Sequence, residues 1–286
     1  MGFRFIHCSD IHLLDLQGTR AWRFLNKRLT GAVNLALKRR KRHDAALFDR
    51  LLDTAAQLEA DRIVVTGDVT NLALESEFEC VRRRFAASRV PITAIPGNHD
   101  AYTAGAARER RFCRYLAAHM DGERDGEADF PFVQRHGNTA LIGLSSAVPS
   151  LPLYAVGRIG TDQLARLDGM LCRLREEGLV RIVLVHHPVV QGVSKKRHNL
   201  VDLEAFQAVV ARRGAELVLH GHEHRKLHGS LSGPEADVMV HGISSGTSVV
   251  DHPGKRAAFS LYDVEGERIG RRLFVWQGER FVERAA

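Results

Sequence analysis

The sequence has few cysteines and lacks any long apolar run. Its four cysteines, Cys8, Cys80, Cys113 and Cys172, are far apart and form no Cys-x-x-Cys pair, so we interpret them as reduced residues rather than a disulfide framework. No run of about eighteen apolar residues occurs, which argues against a membrane-spanning helix. The first residues enter a strand without a signal-peptide pattern. We therefore expect a cytoplasmic location.

The chain also lacks internal repeats and low-complexity linkers, as is typical of a globular protein. With 286 residues, of which 44% are hydrophobic, it can bury a sizeable core. The motifs described below span most of its length. We therefore predict a single domain over residues 1–286.

Polar clusters follow five apolar runs that are typical of strands. Each cluster alone fits an ordinary turn, and a lone histidine is more often a hydrogen-bonded core residue than a ligand. All five clusters carry nitrogen or oxygen ligands within one chain, which predicts a dinuclear metal site at the mouth of a β-sheet. The candidate ligands are Asp10, His12, Asp68, Asn98, His186, His222 and His224.

The types of these side chains indicate which cations and which reaction they suit. Carboxylates and imidazoles together suit Mn, Fe or Zn, whereas an all-oxygen cage favours Mg or Ca. The absence of cysteine from the set argues against a structural zinc site. Two such cations about 3.5 to 4 Å apart lower the pKa of a shared water and bind phosphoryl oxygens. The set therefore predicts a hydrolase.

The motif order Asp-x-His, Gly-Asp, Gly-Asn-His-Asp, His and Gly-His-x-His resembles that of the calcineurin-like metallophosphoesterase superfamily, in its bacterial phosphodiesterase and pyrophosphatase branch. The resemblance implies two divalent metal ions, with Mn favoured. It also implies that a hydroxide bridging them cleaves a phosphodiester or nucleotide-diphosphate substrate. The implied ligands of the first ion are Asp10, His12, Asp68 and His224, and those of the second are Asn98, His186 and His222, with Asp68 bridging.

The same resemblance gives His99 the catalytic role of contacting the phosphate or protonating the leaving oxygen. Many relatives orient this histidine with an aspartate three residues after the bridging one, but here that position is Asn71. An amide can accept a hydrogen bond from imidazole, but it does not stabilise imidazolium by charge. Asp100 is a possible substitute. His187 is not expected to be a ligand, because the family's histidine precedes the proline by two positions.

The remaining pattern predicts an α/β fold. Helices are predicted over residues 45–59, 74–87, 161–177 and 203–213. Short strands are predicted over residues 226–231, 238–243, 257–264 and 268–276. The resemblance implies a four-layer α-β-β-α sandwich with the metals at the carboxyl ends of strands. Residues 101–135 are predicted to form either a cap over the site or a solvated surface insertion.

The second informative feature is the charge of residues 16–43. This segment holds nine of the 41 lysines and arginines and no acidic residue, so the other 32 bases nearly balance the 34 acids. Apolar residues recur within it at three- and four-residue spacing, with an interruption at Gly31. The segment is therefore predicted to be a basic amphipathic helix.

This basic amphipathic insertion has two main interpretations. It is either a helix packed on the core with its bases in water, or a helix that docks on an anionic membrane and gives the protein a peripheral position on the inner membrane. A nucleic-acid partner is disfavoured because the segment offers few aromatic side chains for stacking. The predicted membrane-facing residues are Trp22, Lys27, Arg28, Lys38, Arg39, Arg40, Lys41 and Arg42.

Residues 24–35 also resemble the insertion of the UDP-2,3-diacylglucosamine pyrophosphatases of lipid A synthesis. That resemblance is short, and it implies a membrane-associated lipid substrate. The competing interpretation is a soluble cyclic-nucleotide phosphodiesterase, which shares the ligand pattern. An alternative of another class is a catalytically dead binding scaffold. Scaffolds commonly lose ligands, whereas every expected ligand is present in this sequence.

Overall fold

The structure is a computed structural model that describes residues 2–19, 42–252 and 254–284. Its strands are β1 (Phe3–Cys8), β2 (Arg62–Val65), β3 (Ile92–Ala94), β4 (Phe132–His136), β5 (Thr139–Gly143), β6 (Val180–Leu184), β7 (Leu217–His220), β8 (Leu227–Leu231), β9 (Val238–Gly242), β10 (Ala258–Glu265), β11 (Arg268–Trp276) and β12 (Phe281–Arg284). The α-helices of the described residues are α1 (Ala45–Gln57), α2 (Glu75–Ala87), α3 (Ala104–Arg108), α4 (Arg111–Leu116), α5 (Thr161–Glu176) and α6 (Leu203–Arg213).

The strands form two mixed six-stranded sheets. The first has the order β12-β11-β10-β1-β2-β3, and the second has the order β4-β5-β6-β7-β9-β8. Strands β1, β2 and β3 run parallel, as do β5, β6, β7 and β9. Because parallel strands end at the same edge of a sheet, each sheet presents several strand-end loops together.

Strand β6 of the second sheet divides its side chains between two buried clusters by alternation. Ile182 and Leu184 of β6 belong to the cluster that includes the first sheet, α1 and α2. Val183 lies instead in the cluster formed with α5 and α6. A strand with apolar residues on both faces must be covered on both sides. This burial confirms the predicted α/β class and the four-layer α-β-β-α sandwich.

The predicted elements match the observed ones closely where the pattern is strong. Helix α6 has the predicted bounds, and α5 ends one residue earlier than expected. Helix α1 ends at Gln57 because the N–H groups of Leu58 and Glu59 already close the last turn, and Glu59 has a positive φ of 52°. The sequence interpretation missed β4, β5 and β12.

Residues 101–135 contain α3, α4 and most of β4. Phe112, Leu116 and Met120 anchor the segment in the core of the first sheet. Near its start, the ring of Tyr102 stacks on the ring of His99 with a centroid distance of 5.4 Å. The cap remains a prediction, and Tyr102 is its contact with the predicted site.

Most of the predicted membrane-facing residues, Trp22 to Lys41, lie outside the described residues. Arg42 is described: it is exposed, and its carbonyl accepts a hydrogen bond from the N–H of Val249 at 2.9 Å. Among the described residues, no helix has the length and apolar character needed to cross a bilayer.

The amino end of α2 contains a buried carboxyl group, that of Glu77. Its Oε2 accepts hydrogen bonds from the N–H groups of Leu72 (2.9 Å) and Leu74 (3.0 Å). Its Oε1 is buried and has no hydrogen-bond partner among the described residues. Burial outweighs these bonds and raises the pKa of Glu77 to about 8, from an ordinary value of 4.5.

This raised pKa predicts a pH-dependent stability. Between pH 4.5 and about 8, Glu77 keeps a proton in the folded protein that it has lost in the unfolded chain. Its contribution to the free energy of unfolding is therefore fully present below pH 4.5 and declines as the pH rises toward 8. The contribution changes by at most about 1.4 kcal/mol per pH unit. Glu77→Gln should flatten the urea-derived unfolding free energy over this range. Glu79→Gln, an exposed position on the same helix, should keep the wild-type slope, and equal slopes in both variants would refute the assignment.

Candidate metal centre

The predicted ligands lie at strand ends in unusual backbone conformations. Five of the seven predicted ligands have positive φ angles, Asp10 (53°), His12 (43°), Asp68 (53°), His222 (73°) and His224 (49°), and only four other described non-glycine residues do. This conformation is costly for residues with a Cβ and tends to cluster at functional sites. The local strain indicates that the fold holds these five side chains in place against their backbone preference.

One group of ligand atoms forms beside β1. Ligand atoms of Asp10, His12, Asp68 and His224 all lie within 4.8 Å of one another. The Nε2 atom of His224 is 3.2 Å from Nε2 of His12 and 3.2 Å from Oδ1 of Asp10. This group contains the four residues predicted for the first ion.

A second group forms at the ends of β3, β6 and β7. Oδ1 of Asn98 is 3.2 Å from Nε2 of His186 and 3.0 Å from Nδ1 of His222. Oδ2 of Asp68 is 3.4 Å from Nε2 of His186 and 3.8 Å from Nε2 of His12. One carboxylate oxygen therefore lies between the two groups, as a bridging ligand requires.

The hydrogen bonds of the histidines determine which ring nitrogen faces the site. His12 Nδ1 lies 3.2 Å from the carbonyl of Thr70, and His186 Nδ1 lies 2.7 Å from the carbonyl of Thr66. Because a carbonyl only accepts, each Nδ1 is the donor, and Nε2 is left to face inward. Carbonyl partners of this kind orient metal-binding imidazoles.

The buried polar atoms of the first group fit a divalent cation. Oδ1 of Asp10 is buried and faces Nε2 of His224 at 3.2 Å without a well-oriented hydrogen bond. A buried carboxylate oxygen that accepts no good hydrogen bond is costly unless a cation compensates it. The Nε2 atoms of His12 and His224, which face each other, would likewise be satisfied by one cation between them. The residues present therefore suit the metal that their chemistry predicts.

The electrostatics favour the ligand forms of most of these groups. Burial opposes the charged carboxylate of Asp68, but His186 and His99 outweigh it and hold its pKa well below the usual range. Burial, together with neighbouring histidines, lowers the pKa values of His12 and His222 well below 6.5. The carboxylate is therefore ionised and these imidazoles neutral at neutral pH.

His186 behaves differently from the other histidines. Burial lowers its pKa, but Asp68 and Asp10 outweigh burial and raise it to about 9. The proton on His186 lies where a cation would bind. A cation held by the second group would displace that proton, as is usual for metal sites built from titrating ligands.

Two glycines allow the strand-end loops to approach each other. A Cβ atom at Gly97 would overlap the carboxylate of Asp68, and one at Gly221 would overlap Ser9 and Asp10. In addition, the main-chain N–H of His222 donates to Oδ2 of Asp10 at 3.0 Å. Loops from both sheets therefore meet in direct contact at the site.

The orientation of His99 differs in detail from the sequence-based expectation. Its Nδ1 lies 2.6 Å from the main-chain carbonyl of Asn71, which is the acceptor. The side-chain amide of Asn71 donates instead to the carbonyl of His12 at 2.6 Å. The expected role of Asn71 as an orienting residue is therefore carried by its backbone. Asp100, proposed as a substitute, accepts hydrogen bonds from the N–H groups of Val69, Thr70 and Gly97 and from the Thr70 hydroxyl.

His187 lies beside His186 but has other partners. Its Nδ1 is 2.7 Å from the hydroxyl of Ser146, and its Nε2 is 3.2 Å from the carbonyl of Ala155. Both ring nitrogens therefore contact protein atoms, and His186 alone of the pair points at Asp68.

Sequence reasoning missed His43. Ring nitrogens of His12, His43 and His224 lie within 4.8 Å of one another, and the Nδ1 of His43 is 3.0 Å from the hydroxyl of Thr247. This histidine is the last residue of the basic segment 16–43, whose charge and apolar periodicity predicted an amphipathic helix rather than a ligand. His43 directly follows a run of basic residues and not an apolar strand, so the strand-end pattern that identified the other ligands did not include it.

Two hydroxyl residues in the loop after β9 were also missed. Ser245 donates to the carbonyl of Asp10 at 2.7 Å, and Thr247 donates to the carbonyl of Ile11 at 2.8 Å. These bonds fix the backbone of the Asp-x-His loop. The loop follows a strand just as the ligand clusters do, but serine and threonine are weak ligands and did not stand out.

Comparisons with known proteins agree with this geometry. A family model described as calcineurin-like phosphoesterase matches residues 3–226. Glycerophosphodiester phosphodiesterase GpdQ of Enterobacter lignolyticus (strain SCF1) is 29% identical over 128 residues, which are 45% of this chain and 42% of that protein. A probable cyclic nucleotide phosphodiesterase of Synechococcus sp. (strain WH7803) is 28% identical over 224 residues, covering 75% of this chain and 77% of that protein. This chain therefore spans less than half the length of the first relative.

Solved structures share the fold at low sequence identity. A dimetal phosphatase from Danio rerio superposes with a TM-score of 0.65 and 14% identity, over 98% of each chain. Purple acid phosphatase PPD1 from yellow lupin (Lupinus luteus) superposes with a TM-score of 0.64 and 10% identity, over 99% of this chain and 53% of that one. At these identities the similarity establishes the fold alone.

Two mixed sheets with Asp, Asn and His side chains converging at their strand ends agree with the match to that family model. The chain belongs to the calcineurin-like phosphoesterase family. Membership confirms the predicted metallophosphoesterase family and implies a site for divalent metal ions.

The position of Asp68 between the two ligand groups predicts how the amount of bound metal responds to mutation. Asp68→Ala should lower bound metal from about two equivalents to below one, because the carboxylate between the two groups is lost. His252→Ala, an exposed histidine, serves as the control and should retain about two. Metal-loaded protein is desalted and analysed by plasma mass spectrometry. Two retained equivalents in Asp68→Ala would contradict the bridging assignment.

Proposed function

We propose that the chain hydrolyses phosphodiester bonds with the seven predicted ligands holding two divalent cations. The observation that carries this proposal is the carboxylate of Asp68, which lies 3.4 Å from His186 and 3.8 Å from His12. Each of these histidines belongs to a different ligand group. A carboxylate placed between two such groups suits a two-metal phosphoryl-transfer centre.

The first ion would be held by Asp10, His12, Asp68 and His224, and the second by Asp68, Asn98, His186 and His222. When bound, two such ions stabilise phosphoryl charge and acidify a shared water. The set mixes carboxylate, amide and imidazole and contains no thiolate, which suits Mn, Fe or Zn, and of these we favour manganese.

His99 is the proposed general acid. Its Nδ1 donates to the carbonyl of Asn71, which leaves Nε2 to face a substrate. Its main-chain N–H donates to Oδ1 of Asp68 at 2.8 Å, which fixes the residue beside the bridging carboxylate. In the proposed reaction, protonated His99 transfers the Nε2 proton to the leaving oxygen as the P–O bond breaks.

The substrate class is proposed from relatives. One matched relative is named as a glycerophosphodiester phosphodiesterase and another as a probable cyclic nucleotide phosphodiesterase. Both names refer to phosphodiesters, so we favour a diester over a monoester. A cyclic nucleotide is the second candidate, because the relative with that name aligns over 75% of this chain.

A membrane-associated substrate such as UDP-2,3-diacylglucosamine remains a proposal from sequence. It rests on the basic segment 16–43, most of which lies outside the described residues. The same segment carries the proposal of an anionic membrane surface as a partner.

His99→Gln should separate catalysis from metal binding. We expect kcat on a phosphodiester to fall by about 10² to 10⁴-fold, because the proton donor is lost. Bound metal should stay at the wild-type level. Normal turnover by this variant would exclude the general-acid role, and His252→Gln provides a matched exposed control.

A parallel substrate test distinguishes the candidates. Manganese-loaded enzyme is offered cyclic AMP, bis(p-nitrophenyl) phosphate and UDP-2,3-diacylglucosamine, and mass spectrometry identifies the products. We expect hydrolysis of the generic diester and of one natural candidate. Hydrolysis of none of them, with both metals bound, would refute the proposed function and favour a scaffold.

A further inference from the structure

Two neighbouring surface loops carry most of the exposed large apolar side chains of the described residues. Leu151 is 71% exposed, Leu153 78%, Tyr154 40% and Val201 57%. These are four of the seven such residues in the described chain. Apolar side chains that are exposed together mark an interaction surface more often than isolated ones do.

Hydrogen bonds hold the two loops side by side. The N–H of Ala155 donates to the carbonyl of Arg197 at 2.8 Å, and that of Gly157 donates to the carbonyl of Asn199 at 3.0 Å. The N–H of Val201 returns a bond to the carbonyl of Gly157 at 2.8 Å. The two loops that carry the exposed apolar residues are therefore bonded directly to each other.

The same surface is basic. Lys195, Lys196 and Arg197 are exposed, and none of them forms an ion pair with a carboxylate in the described part of the chain. The guanidinium of Arg197 lies 5.4 Å from the ring centroid of Tyr154, so a cation packs on an aromatic face. We call this surface the rim patch: Leu151, Leu153, Tyr154, Lys195, Lys196, Arg197 and Val201.

The rim patch adjoins the metal centre. His187, next to His186, contacts the carbonyl of Ala155 in the first loop at 3.2 Å. His198, next to Arg197, has its ring centroid 5.8 Å from that of His222. A surface that engages the rim patch would therefore lie beside the catalytic site.

We infer that the rim patch docks the enzyme on the surface of an anionic membrane. Leucine and tyrosine side chains at a loop tip can enter the boundary between headgroups and acyl chains, while nearby lysines and arginines attract anionic headgroups. The proposed site would then act on a phosphodiester at the bilayer surface. That last step rests on the proposed function, whereas the docking itself does not.

The charges decide between a membrane and a second copy of this chain. In a two-fold symmetric contact, the rim patch would face itself and bring its three cations against three more. Such like-charge contact is unfavourable. An anionic lipid surface complements the same cations and also accepts the apolar side chains.

The test is vesicle sedimentation with the full chain. Vesicles contain phosphatidylcholine with phosphatidylglycerol, or phosphatidylcholine alone. We expect Leu151→Asp/Leu153→Asp to bind the anionic vesicles about tenfold more weakly than wild type. Met239→Asp, at a 38% exposed residue of β9, is the matched control and should bind as wild type does.

A second variant tests the charges. Lys195→Gln/Lys196→Gln/Arg197→Gln should lose much of the preference for phosphatidylglycerol vesicles over phosphatidylcholine vesicles. Equal vesicle binding by wild type and both rim variants would overturn the inference. A change of oligomeric state in the rim variants, measured by light scattering, would also overturn the inference if vesicle binding stayed the same.

The outcome is separable from that of the proposed function. Asp68→Ala is expected to lose turnover and to bind vesicles as wild type does, because Asp68 is buried and offers no side chain to the rim patch surface. Thermal unfolding of each rim variant verifies that it remains folded. Weak vesicle binding by a folded rim variant supports docking whichever substrate the enzyme prefers.

Discussion

The position of the Asp68 carboxylate is the constraint on which the rest of the site depends. Its Oδ2 lies between His12 and His186, and its Oδ1 accepts the N–H of His99. The carboxylate is therefore in contact with both ligand groups and with the proposed acid. It is also buried, so its charge is tolerable only while nearby imidazoles or cations balance it.

The surrounding structure keeps that arrangement from relaxing. Positive φ angles at Asp68 and at neighbouring ligands impose strain that an isolated turn would release. Ser245 and Thr247 resist this release by bonding the carbonyls of the Asp-x-His loop. Gly97 lets the adjacent loop approach the carboxylate closely. The fold thus stabilises a preorganised set of ligands at a cost in local backbone energy.

His99 shows how the site orients an acid without a second carboxylate. A main-chain carbonyl fixes the tautomer as well as an aspartate would, but it stabilises imidazolium less. The loop that supplies this carbonyl, residues 71–74, is held by Glu77 and by Arg111, whose guanidinium donates to the carbonyl of Ala73 at 2.8 Å. The geometry of the acid therefore depends on buried groups in α2 and α4.

The sequence by itself determined the ligand types, their order and the alternation of strands and helices, because apolar periodicity and strand-end polar clusters are local patterns. It did not reveal β4, β5 or the approach of His43 to His12, since such pairings join segments that have no local signal in common. Only the tertiary structure decided that the backbone of Asn71, rather than its amide, faces His99. Likewise, only folding brings Leu151 and Arg197 onto one surface, because main-chain hydrogen bonds between distant loops depend on the packed sheets beneath them.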